Sequence, residues 1–510
     1  MAAVQQLTMH IHWVFQVYPC RHVARSIALA WLLSGHFQSA QSQPAQADDM
    51  NMTRPTVHIV DVPVNVGQPP SPIFDPRQFG AKGDGVTSDT AALQKTLDAC
   101  AGTGGSVVLA PGNYVSAELT LHGHMTLFLQ KGAVLMGSTN LDDYPVLLPE
   151  HVAKSANCRS LLYACNADGL TIDGEGAIDG RCQEMNMPAD VRKIGTEGKR
   201  PSLIRIFRSR NVTLRNVTLL NPCMWTQVYQ DCDQLLIDHE TVNAPPDCWN
   251  LDGMDICDSH DVVIRNCDLK CEDDAICLKS HNRRGLKNVL VENNRIHCYR
   301  ANAIKLGSAT LGPVVNVEII SNLVTYAKYG GLCIESVDGS EINGFVVRNL
   351  DMYRVNNPIY IRLANRSGNP GSITNVLIEN VRAYETGLSA DPLSGKAPAP
   401  PSCSITGIPK AKVGGVRLKN CYIEMPGGLA KITRAPAERE KDYPQSTMFG
   451  NVPAYGLYVR HAEDVVLDNV YIGRYQPDAR PWLKADDANV KQNACRDLEQ
   501  IKPATTVKSN

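Results

Sequence analysis

The sequence of 510 residues lacks a strong net charge, long hydrophobic runs and an abundance of phenylalanine. Its formal net charge is −2, which gives no indication of a nucleic-acid partner. Only 8 residues are phenylalanine, whereas 38 are glycine and 31 are proline. That balance favours strands joined by turns over a helical bundle.

The first apolar run, Ile27–Leu33, is far shorter than the roughly 20 residues of a membrane span, and no later run reaches that length. It follows the basic stretch Arg21–Arg25 and precedes Ala45–Ala47, an order typical of a signal peptide with an A-x-A cleavage site. An uncleaved anchor is the alternative. We predict a signal peptide over residues 1–47 and a linker over residues 48–71, and therefore a secreted or periplasmic protein with no membrane span after cleavage.

C-x-x-C pairs are also lacking, although the chain has 17 cysteines, and we find no zinc-ligand constellation. Disulfides form in exported proteins, and the odd count leaves at least one thiol unpaired. Cys158 and Cys165 are candidates for a local disulfide. Other cysteines, such as Cys267 and Cys333, lie in strand-like segments where small buried side chains can stack. We expect no metal ion and no cofactor.

What the chain has is a repeated five-residue pattern, apolar-x-apolar-x-Asn, at intervals of about 23 to 28 residues through its middle. The asparagines that end the copies are Asn216, Asn266, Asn293, Asn349, Asn380, Asn420 and Asn469. Weaker copies end at His239 and Ser321. Alternating apolar residues face inward, and asparagine tolerates the left-handed backbone conformation that turns a strand. A period this short is typical of stacked structural units.

Parallel strands need connections, and in a solenoid each coil supplies one to the next. We therefore predict an all-β chain, a single-stranded right-handed parallel β-helix over residues 72–483. Residues 87–90 precede apolar residues at helical spacing and predict a capped amphipathic helix that shields the first coil. Residues 484–510 are polar and predict a frayed tail, apart from a helical turn near residues 494–501.

Two acidic segments, Asn250-Leu251-Asp252 and Asp273-Asp274, lie about one repeat apart. On neighbouring coils such residues stack at the strand spacing of about 4.8 Å, so the three carboxylates share one patch. An Asp–Asp pair alone is common at solvated turns. Crowded carboxylates cannot all ionise cheaply, so one keeps a proton and can act as a general acid. We expect the separation of about 6.5–9.5 Å that inverting glycosidases use, although a retaining separation near 5 Å stays open.

A series of short motifs resembles glycoside hydrolase family 28, the polygalacturonase family, over roughly residues 72–475. The motifs are Phe79–Gly85, Asp89–Ala92, Gly104–Val108, Pro111–Tyr114, Leu170–Gly174, Ile178–Gly180, Asn250–Asp252 and Asp273–Ser280. The resemblance implies a β-helix enzyme that hydrolyses pectic polymers with inversion. It also implies that Asp273 is the general acid and that Asp252 and Asp274 hold and deprotonate the attacking water.

Two further signatures of the family are replaced. Ala301-Asn302-Ala303 stands in the register of the family's Gly-His-Gly, and Cys333-Ile334-Glu335 stands in that of its Arg-Ile-Lys. The two basic residues that grip a galacturonate carboxylate are thus lost. We expect a substrate other than smooth homogalacturonan, such as a rhamnogalacturonan-like or decorated uronic-acid polymer.

Basic residues reappear on neighbouring strands, and alternate residues of a strand share a face. The expected substrate-binding set is Asn250, Lys279, Asn302, Lys305, Glu335 and Arg362. Structural alternatives are that Glu335 pairs with Lys305 across two coils and that Arg362 pairs with a neighbouring acid. Trp225 and Trp249, about one coil apart, are either a platform for sugar rings or part of the core.

Two other functions stay open. A β-helix polysaccharide lyase would bind Ca²⁺ through acidic residues and use Lys305 or Arg362 as the base that abstracts a proton next to a uronate carboxylate. A non-catalytic β-helix would bind glycans on the same surface, because a fold does not fix a function. We expect a polysaccharide as the partner and a monomer.

Overall fold

The computed structural model describes residues 68–147, 159–185, 200–387 and 401–501. The predicted signal peptide, most of the predicted linker and residues 502–510 of the predicted tail lie outside these ranges. Within them, parallel strands stack coil upon coil along a solenoid with three faces. The predicted parallel β-helix is confirmed. No helix of the described ranges is long and apolar enough to cross a membrane.

The first face carries the acidic residues identified from the sequence. Its strands are β5 (Leu119–Leu121), β8 (Ser160–Cys165), β11 (Ser202–Phe207), β14 (Gln227–Gln230), β17 (Met254–Cys257), β20 (Ile276–Ser280), β23 (Ile304–Thr310), β27 (Val355–Leu363) and β29 (Cys403–Thr406). The second face is made of β1 (Ile73–Phe74), β3 (Ser106–Leu109), β6 (Thr126–Leu129), β9 (Thr171–Asp173), β12 (Arg210–Arg215), β15 (Asp233–Asp238), β18 (His260–Arg265), β21 (Leu286–Glu292) and β24 (Val314–Ile320).

The third face is made of β2 (Asp84–Ser88), β4 (Gly112–Ser116), β7 (Ala133–Gly137), β10 (Ala177–Asp179), β13 (Thr218–Leu220), β16 (Thr241–Asn243), β19 (Asp268–Cys271), β22 (Arg295–Cys298) and β33 (Arg496–Gln500). Six longer strands continue through a corner or run along the last coils. They are β25 (Leu323–Ser336), β26 (Glu341–Tyr353), β28 (Ser372–Tyr384), β30 (Val413–Gly427), β31 (Leu457–Gln476) and β32 (Leu483–Asn493).

The residue that ends each repeat turns the chain as predicted. All seven asparagines, with His239 and Ser321, have positive φ between 53° and 64°. On the later coils their side chains also form a ladder: Asn420 donates to Asn380 at 3.2 Å, and Asn469 donates to Asn420 at 2.8 Å. The asparagine of each repeat therefore turns the chain at a corner and, on the later coils, forms a hydrogen bond to the corner asparagine of the neighbouring coil.

The core is a set of apolar columns that run along the solenoid axis. Leu214, Ile237, Ile264 and Val291 occupy matching positions on four successive coils and are fully buried. Each such side chain contributes about 1.5–3 kcal/mol through burial. Because every coil repeats this inward alternation, the outward-facing positions at each level are free to carry chemistry.

The described residues contain one α-helix, α1 (Thr90–Cys100), which follows β2 and buries Leu93 and Leu97. The predicted capping helix is confirmed, but its expected side-chain cap is absent. Asp89 instead accepts hydrogen bonds from the backbone N–H groups of Lys82 and Gly83, at 2.6 and 2.9 Å. The Asp89 carboxylate thus holds the glycine-rich loop that contains Lys82 and Gly83, and it is not available to cap the helix.

The expected frayed tail is wrong for the described residues up to 501. Strands β32 and β33 continue the coil and pair in parallel with β31. Leu483, Ala488 and Val490 pack against the core, so a few apolar residues suffice for an edge coil. The many polar residues that face outward made the segment resemble a disordered tail in the sequence.

The disulfide of the described residues links Cys182 to Cys248, which are 66 residues apart in sequence. The expected partner Cys165 has a free thiol, and Cys158 lies outside the described residues. Cys333 is buried within β25, and Cys267 is buried at the corner between β18 and β19. The observed disulfide ties the chain just ahead of Asn250 to an earlier coil, a pairing that no local spacing indicates.

Candidate active site

Three acidic residues and one asparagine occupy the turns that lead into consecutive strands of the first face. Met254 of β17 lies opposite Ile276 of β20, which lies opposite Ile304 of β23. Asp252, Asp274 and Asn302 each precede one of these residues by two positions, so they stack at one level on successive coils. Asp252 and Asp274, which the sequence spacing predicts to share one patch, therefore lie on neighbouring coils, and Asn302 lies on the coil that follows.

The three carboxylates converge more closely than expected. One carboxylate oxygen from each of Asp252, Asp273 and Asp274 lies within 4.8 Å of the others. The expected separation of about 6.5–9.5 Å is thus wrong for the nearest oxygens. Asp252 and Asp274 occupy equivalent positions on neighbouring coils, so about one strand spacing separates them, and Asp273 is next to Asp274 in sequence.

Asp274 is held as an anion by bonds from the next coil. Its Oδ1 accepts from the backbone N–H and side-chain amide of Asn302, at 3.1 and 2.7 Å, and its Oδ2 accepts from Lys305 Nζ at 3.0 Å. Burial alone raises the pKa of this carboxyl, but the Lys305 ammonium and the Asn302 amide outweigh burial and hold the pKa below its ordinary value. Asp274 is therefore the ionised member of the cluster.

Asp273 has the opposite character, although it is the adjacent residue. Its Oδ1 accepts a hydrogen bond from the backbone N–H of Asp274 at 2.9 Å. Burial, and then the charge of Asp274, raise the pKa of the Asp273 carboxyl to about 6. Asp273 therefore holds a proton in mildly acidic solution beside a carboxylate that does not.

Asp252 is buried, and burial together with the charges of Asp255 and Asp273 raises its pKa well above the ordinary value. Asp255 on β17 was not identified from the sequence. It is fully buried, and its Oδ1 lies 2.5 Å from Lys279 Nζ. The signal was available, because Asp255 alternates with the inward-facing Met254 and Ile256 and must therefore point to the acidic face.

Lys279, on β20, contacts the acidic cluster. Its Nζ is 3.9 Å from Asp252 Oδ2 and 3.8 Å from the centre of the Trp225 ring. Burial lowers the pKa of the Lys279 ammonium, but Asp255 and its other acidic neighbours outweigh burial and raise it. The same balance, led by Asp274, raises the pKa of Lys305. Both lysines are cations at physiological pH, and both are bonded to aspartates.

Glu335 lies behind Lys305 on β25. It is fully buried, and neither of its carboxyl oxygens has a hydrogen-bond partner within the described residues. Burial raises its pKa to about 8, and Lys305 only partly opposes this effect. Lys305 bonds Asp274 instead, so the ion pair considered from the sequence is not formed.

Arg362 is in register with Glu335, as the spacing predicts, but it is only 1% exposed. Its guanidinium donates to the carbonyls of Gly407 at 2.9 Å and of Glu438 at 2.6 Å. The expectation that Arg362 forms part of the substrate-facing ladder is therefore wrong. Residues 428–456, here called the roof segment, cover it, and no local sequence pattern places this segment.

The roof segment also brings Tyr443 to the site. Its hydroxyl lies 3.1 Å from Lys305 Nζ, while the residue is 58% exposed. Tyr443 was not identified from the sequence, because it lies far along the chain and in no repeat.

The Asn250 turn is anchored on the other side of the cluster. Asn250 has a positive φ of 59°, and its Oδ1 accepts from Arg200 Nη2 at 3.1 Å. The neighbouring Trp249 ring is half-buried, with the Arg300 guanidinium 4.1 Å from its centre. Trp225 is also half-buried, so neither tryptophan is part of the apolar core.

Two carboxyl groups of contrasting protonation are the arrangement with which glycoside hydrolases supply an acid and a base or nucleophile. The family model for glycosyl hydrolases family 28 matches residues 100–401. The chain belongs to this family and is a glycosidase acting on O-glycosyl compounds.

Relatives of two kinds match at similar levels. The endo-polygalacturonase of Pectobacterium carotovorum subsp. carotovorum is 27% identical over 298 residues, which cover 55% of this chain and 73% of the relative. The exo-poly-alpha-D-galacturonosidase of Dickeya chrysanthemi is 26% identical over 353 residues, with 58% of each chain covered.

Solved structures share the fold. The family 28 exopolygalacturonase of Yersinia enterocolitica has a TM-score of 0.61 at 19% identity, covering 85% of this chain and 79% of that one. The polygalacturonase of Erwinia carotovora ssp. carotovora has a TM-score of 0.56 at 20% identity, covering 84% and 99%.

Proposed function

We propose that the protein hydrolyses glycosidic bonds of pectic, uronic-acid-containing polysaccharides by acid and base catalysis at Asp252, Asp273 and Asp274. The observation that carries the proposal is the contrast between two adjacent residues: Asp273 keeps a proton up to about pH 6, whereas Asp274 is held as an anion. One group can therefore give a proton at the pH where its neighbour can accept one.

In this mechanism Asp273 donates its proton to the glycosidic oxygen as the bond breaks. Water attacks the anomeric carbon from the opposite face, oriented by Asp252 and Asp274, and Asp274 accepts its proton. Both oxygens of Asp274 are occupied by hydrogen bonds from Asn302 and Lys305, which supports its holding a water over its forming a covalent bond to the sugar. The nearest carboxyl oxygens lie within 4.8 Å, close to the separation that retaining enzymes use, but the occupied oxygens of Asp274 favour an attacking water. The proposed outcome is therefore inversion of configuration. Proton NMR of the first product tests it, since retention would give the other anomer.

The proposed substrate differs from smooth homogalacturonan. Glu335 stands in the register of a family lysine and is protonated below about pH 8, and Cys333 stands in the register of the family arginine. Lys279 and Lys305 are already bonded to Asp255 and Asp274. These features support a polymer with neutral or decorated units, such as a rhamnogalacturonan. Reducing-end release from homogalacturonan, rhamnogalacturonan and substituted galacturonans tests this choice, and equal or faster cleavage of homogalacturonan would contradict it.

The lyase alternative needs an uncharged base beside the substrate. Lys305 has a raised pKa and Arg362 donates to backbone carbonyls, so neither is suited to abstract a proton. Ultraviolet absorbance of the products distinguishes the two reactions, because only a lyase forms an unsaturated sugar. A strong absorbance increase would overturn hydrolysis.

The remaining features of the proposal concern the mature chain. We expect export to the periplasm or medium, a catalytic β-helix that begins near residue 72, and a monomer. N-terminal sequencing of the exported protein and light scattering check these expectations.

A further inference from the structure

The roof segment is attached to the first face at several separate points. Arg362 of β27 donates to the carbonyl of Glu438 at 2.6 Å, and Asn357 of the same strand donates to the carbonyl of Ser446 at 3.3 Å. Arg460 of β31 donates to the carbonyl of Pro436 at 2.6 Å. These anchors, between residues 436 and 446, hold the middle of the roof segment against the solenoid.

Side-chain contacts reinforce these anchors. The Tyr360 hydroxyl lies 2.9 Å from Met448 Sδ, and the Arg362 guanidinium lies 5.1 Å from the centre of the Phe449 ring. Tyr360 points outward, yet it is fully buried. The outward surface of β27 is therefore covered by protein.

The cover begins next to the catalytic cluster. Lys305, on the strand that follows the Asp273–Asp274 coil, bonds both Asp274 and the roof residue Tyr443. Glu335 and Arg362, on the next two strands, point outward and are 0% and 1% exposed. A polymer that lay along the first face from the acidic cluster toward β27 would therefore meet the roof segment within about one coil.

We infer that the roof segment ends the substrate groove beside the catalytic coil, and that Tyr443 is a specificity-determining residue against which the sugar unit at a polymer end packs. The enzyme accordingly removes short units from chain ends. This inference rests on the proposed function. The half-exposed tyrosine ring offers an apolar face with a polar edge, which suits a pyranose ring. Matched relatives include both endo- and exo-acting enzymes, so the similarity does not decide the mode.

The mode of action is measured by following viscosity and reducing ends together on the best polymer of the substrate panel. The inference predicts one short product from the first time point and little loss of viscosity while reducing ends accumulate. A ladder of oligomers with an early fall in viscosity would overturn the inference and leave the hydrolase assignment intact. Absence of reducing ends from every polymer would overturn the proposed function, and the inference with it.

Two variants test the role of the ring. Tyr443→Phe keeps the ring and loses the hydroxyl that contacts Lys305, whereas Tyr443→Ala loses both. Packing against substrate predicts a KM at least 10-fold higher for the alanine variant and within about 3-fold of wild type for the phenylalanine variant. Thr447→Ala, at an exposed position of the same segment, is the matched control and should change neither constant. Equal KM increases in both Tyr443 variants, or a fall in kcat alone, would assign Tyr443 to the support of Lys305 and overturn its contact with substrate.

Discussion

Lys305 and Asp274 form a buried ion pair across two coils, with Nζ 3.0 Å from Oδ2 and the two side chains only 3% and 7% exposed. The pair explains how two adjacent aspartates acquire different charges. The ammonium stabilises the Asp274 anion, and that anion then raises the pKa of Asp273. Lys305 from the following coil, together with the Asn302 amide and burial, thus sets the proton distribution of the cluster.

Replacement of Lys305 by methionine should abolish this distribution. The Asp274 pKa will rise, because burial no longer meets an opposing charge, and kcat/KM should fall by at least about 100-fold. Removing one partner of a buried pair costs about 3–5 kcal/mol of stability, which urea denaturation measures. Lys287→Met, at an exposed position of β21, is the control. Unchanged activity in Lys305→Met would show that Asp274 needs no counter-ion.

Glu335 should give a pH-dependent contribution to stability. Its pKa in the folded protein is about 8, against an ordinary value of 4.5, so the folded state binds the proton more tightly between these limits. The free energy of unfolding therefore falls as pH rises through this window, by up to about 1.4 kcal/mol per pH unit. Glu335→Gln removes the ionisation and should gain stability relative to wild type from pH 5 to pH 8. Denaturation curves at several pH values measure this difference, with Glu341→Gln at an exposed position as control. Parallel profiles for wild type and Glu335→Gln would contradict the buried, protonated state.

At the corner asparagines, substitution by glycine should destabilise the protein less than substitution by alanine, which is the reverse of the usual order. Asn420 has a φ of 53° and bonds both Asn380 and Asn469. Asn420→Ala keeps a β-carbon in the left-handed region but loses the polar side chain that makes this conformation tolerable, at a cost of about 1–2 kcal/mol, and it also loses the ladder bonds. Asn420→Gly loses the same bonds but has no β-carbon to strain. Chemical denaturation should therefore rank glycine above alanine here. Lys491, within strand β32, is the control position: there the alanine variant should be more stable than the glycine variant, as is usual. Alanine above glycine at both positions would contradict the corner assignment.

The fold could be predicted because its signals are local and repeated. Inward alternation appears in every coil, and an asparagine at each corner both turns the chain and, on the later coils, bonds its neighbour. The same spacing predicts that Asp252 and Asp274 lie on neighbouring coils, as the strand register shows, whereas Asn302 was placed by its resemblance to the family motif. A regular solenoid converts sequence distance into spatial distance, so residues that follow its period could be located.

Residues that depend on irregular segments could not be located in this way. Tyr443 reaches Lys305 across 138 positions of sequence, and Arg362 is covered by the same segment. The Cys182–Cys248 disulfide likewise joins parts of the chain whose spacing of 66 residues does not follow the repeat. The nearest-oxygen separation also depended on side-chain direction, which the period of the coils does not specify.

The central claim is that Asp273 is the proton donor and Asp274 its ionised neighbour. The most direct test is the pH dependence of reducing-end release by wild type and Asp273→Asn, with Asp268→Asn at a partly exposed position as control. Wild-type activity should fall as pH rises through about 6, where Asp273 loses its proton. Asp273→Asn should lose about 10²- to 10⁴-fold in kcat, and its residual activity should not show the decline near pH 6. Activity in Asp273→Asn equal to wild type, with the same decline near pH 6, would contradict the account.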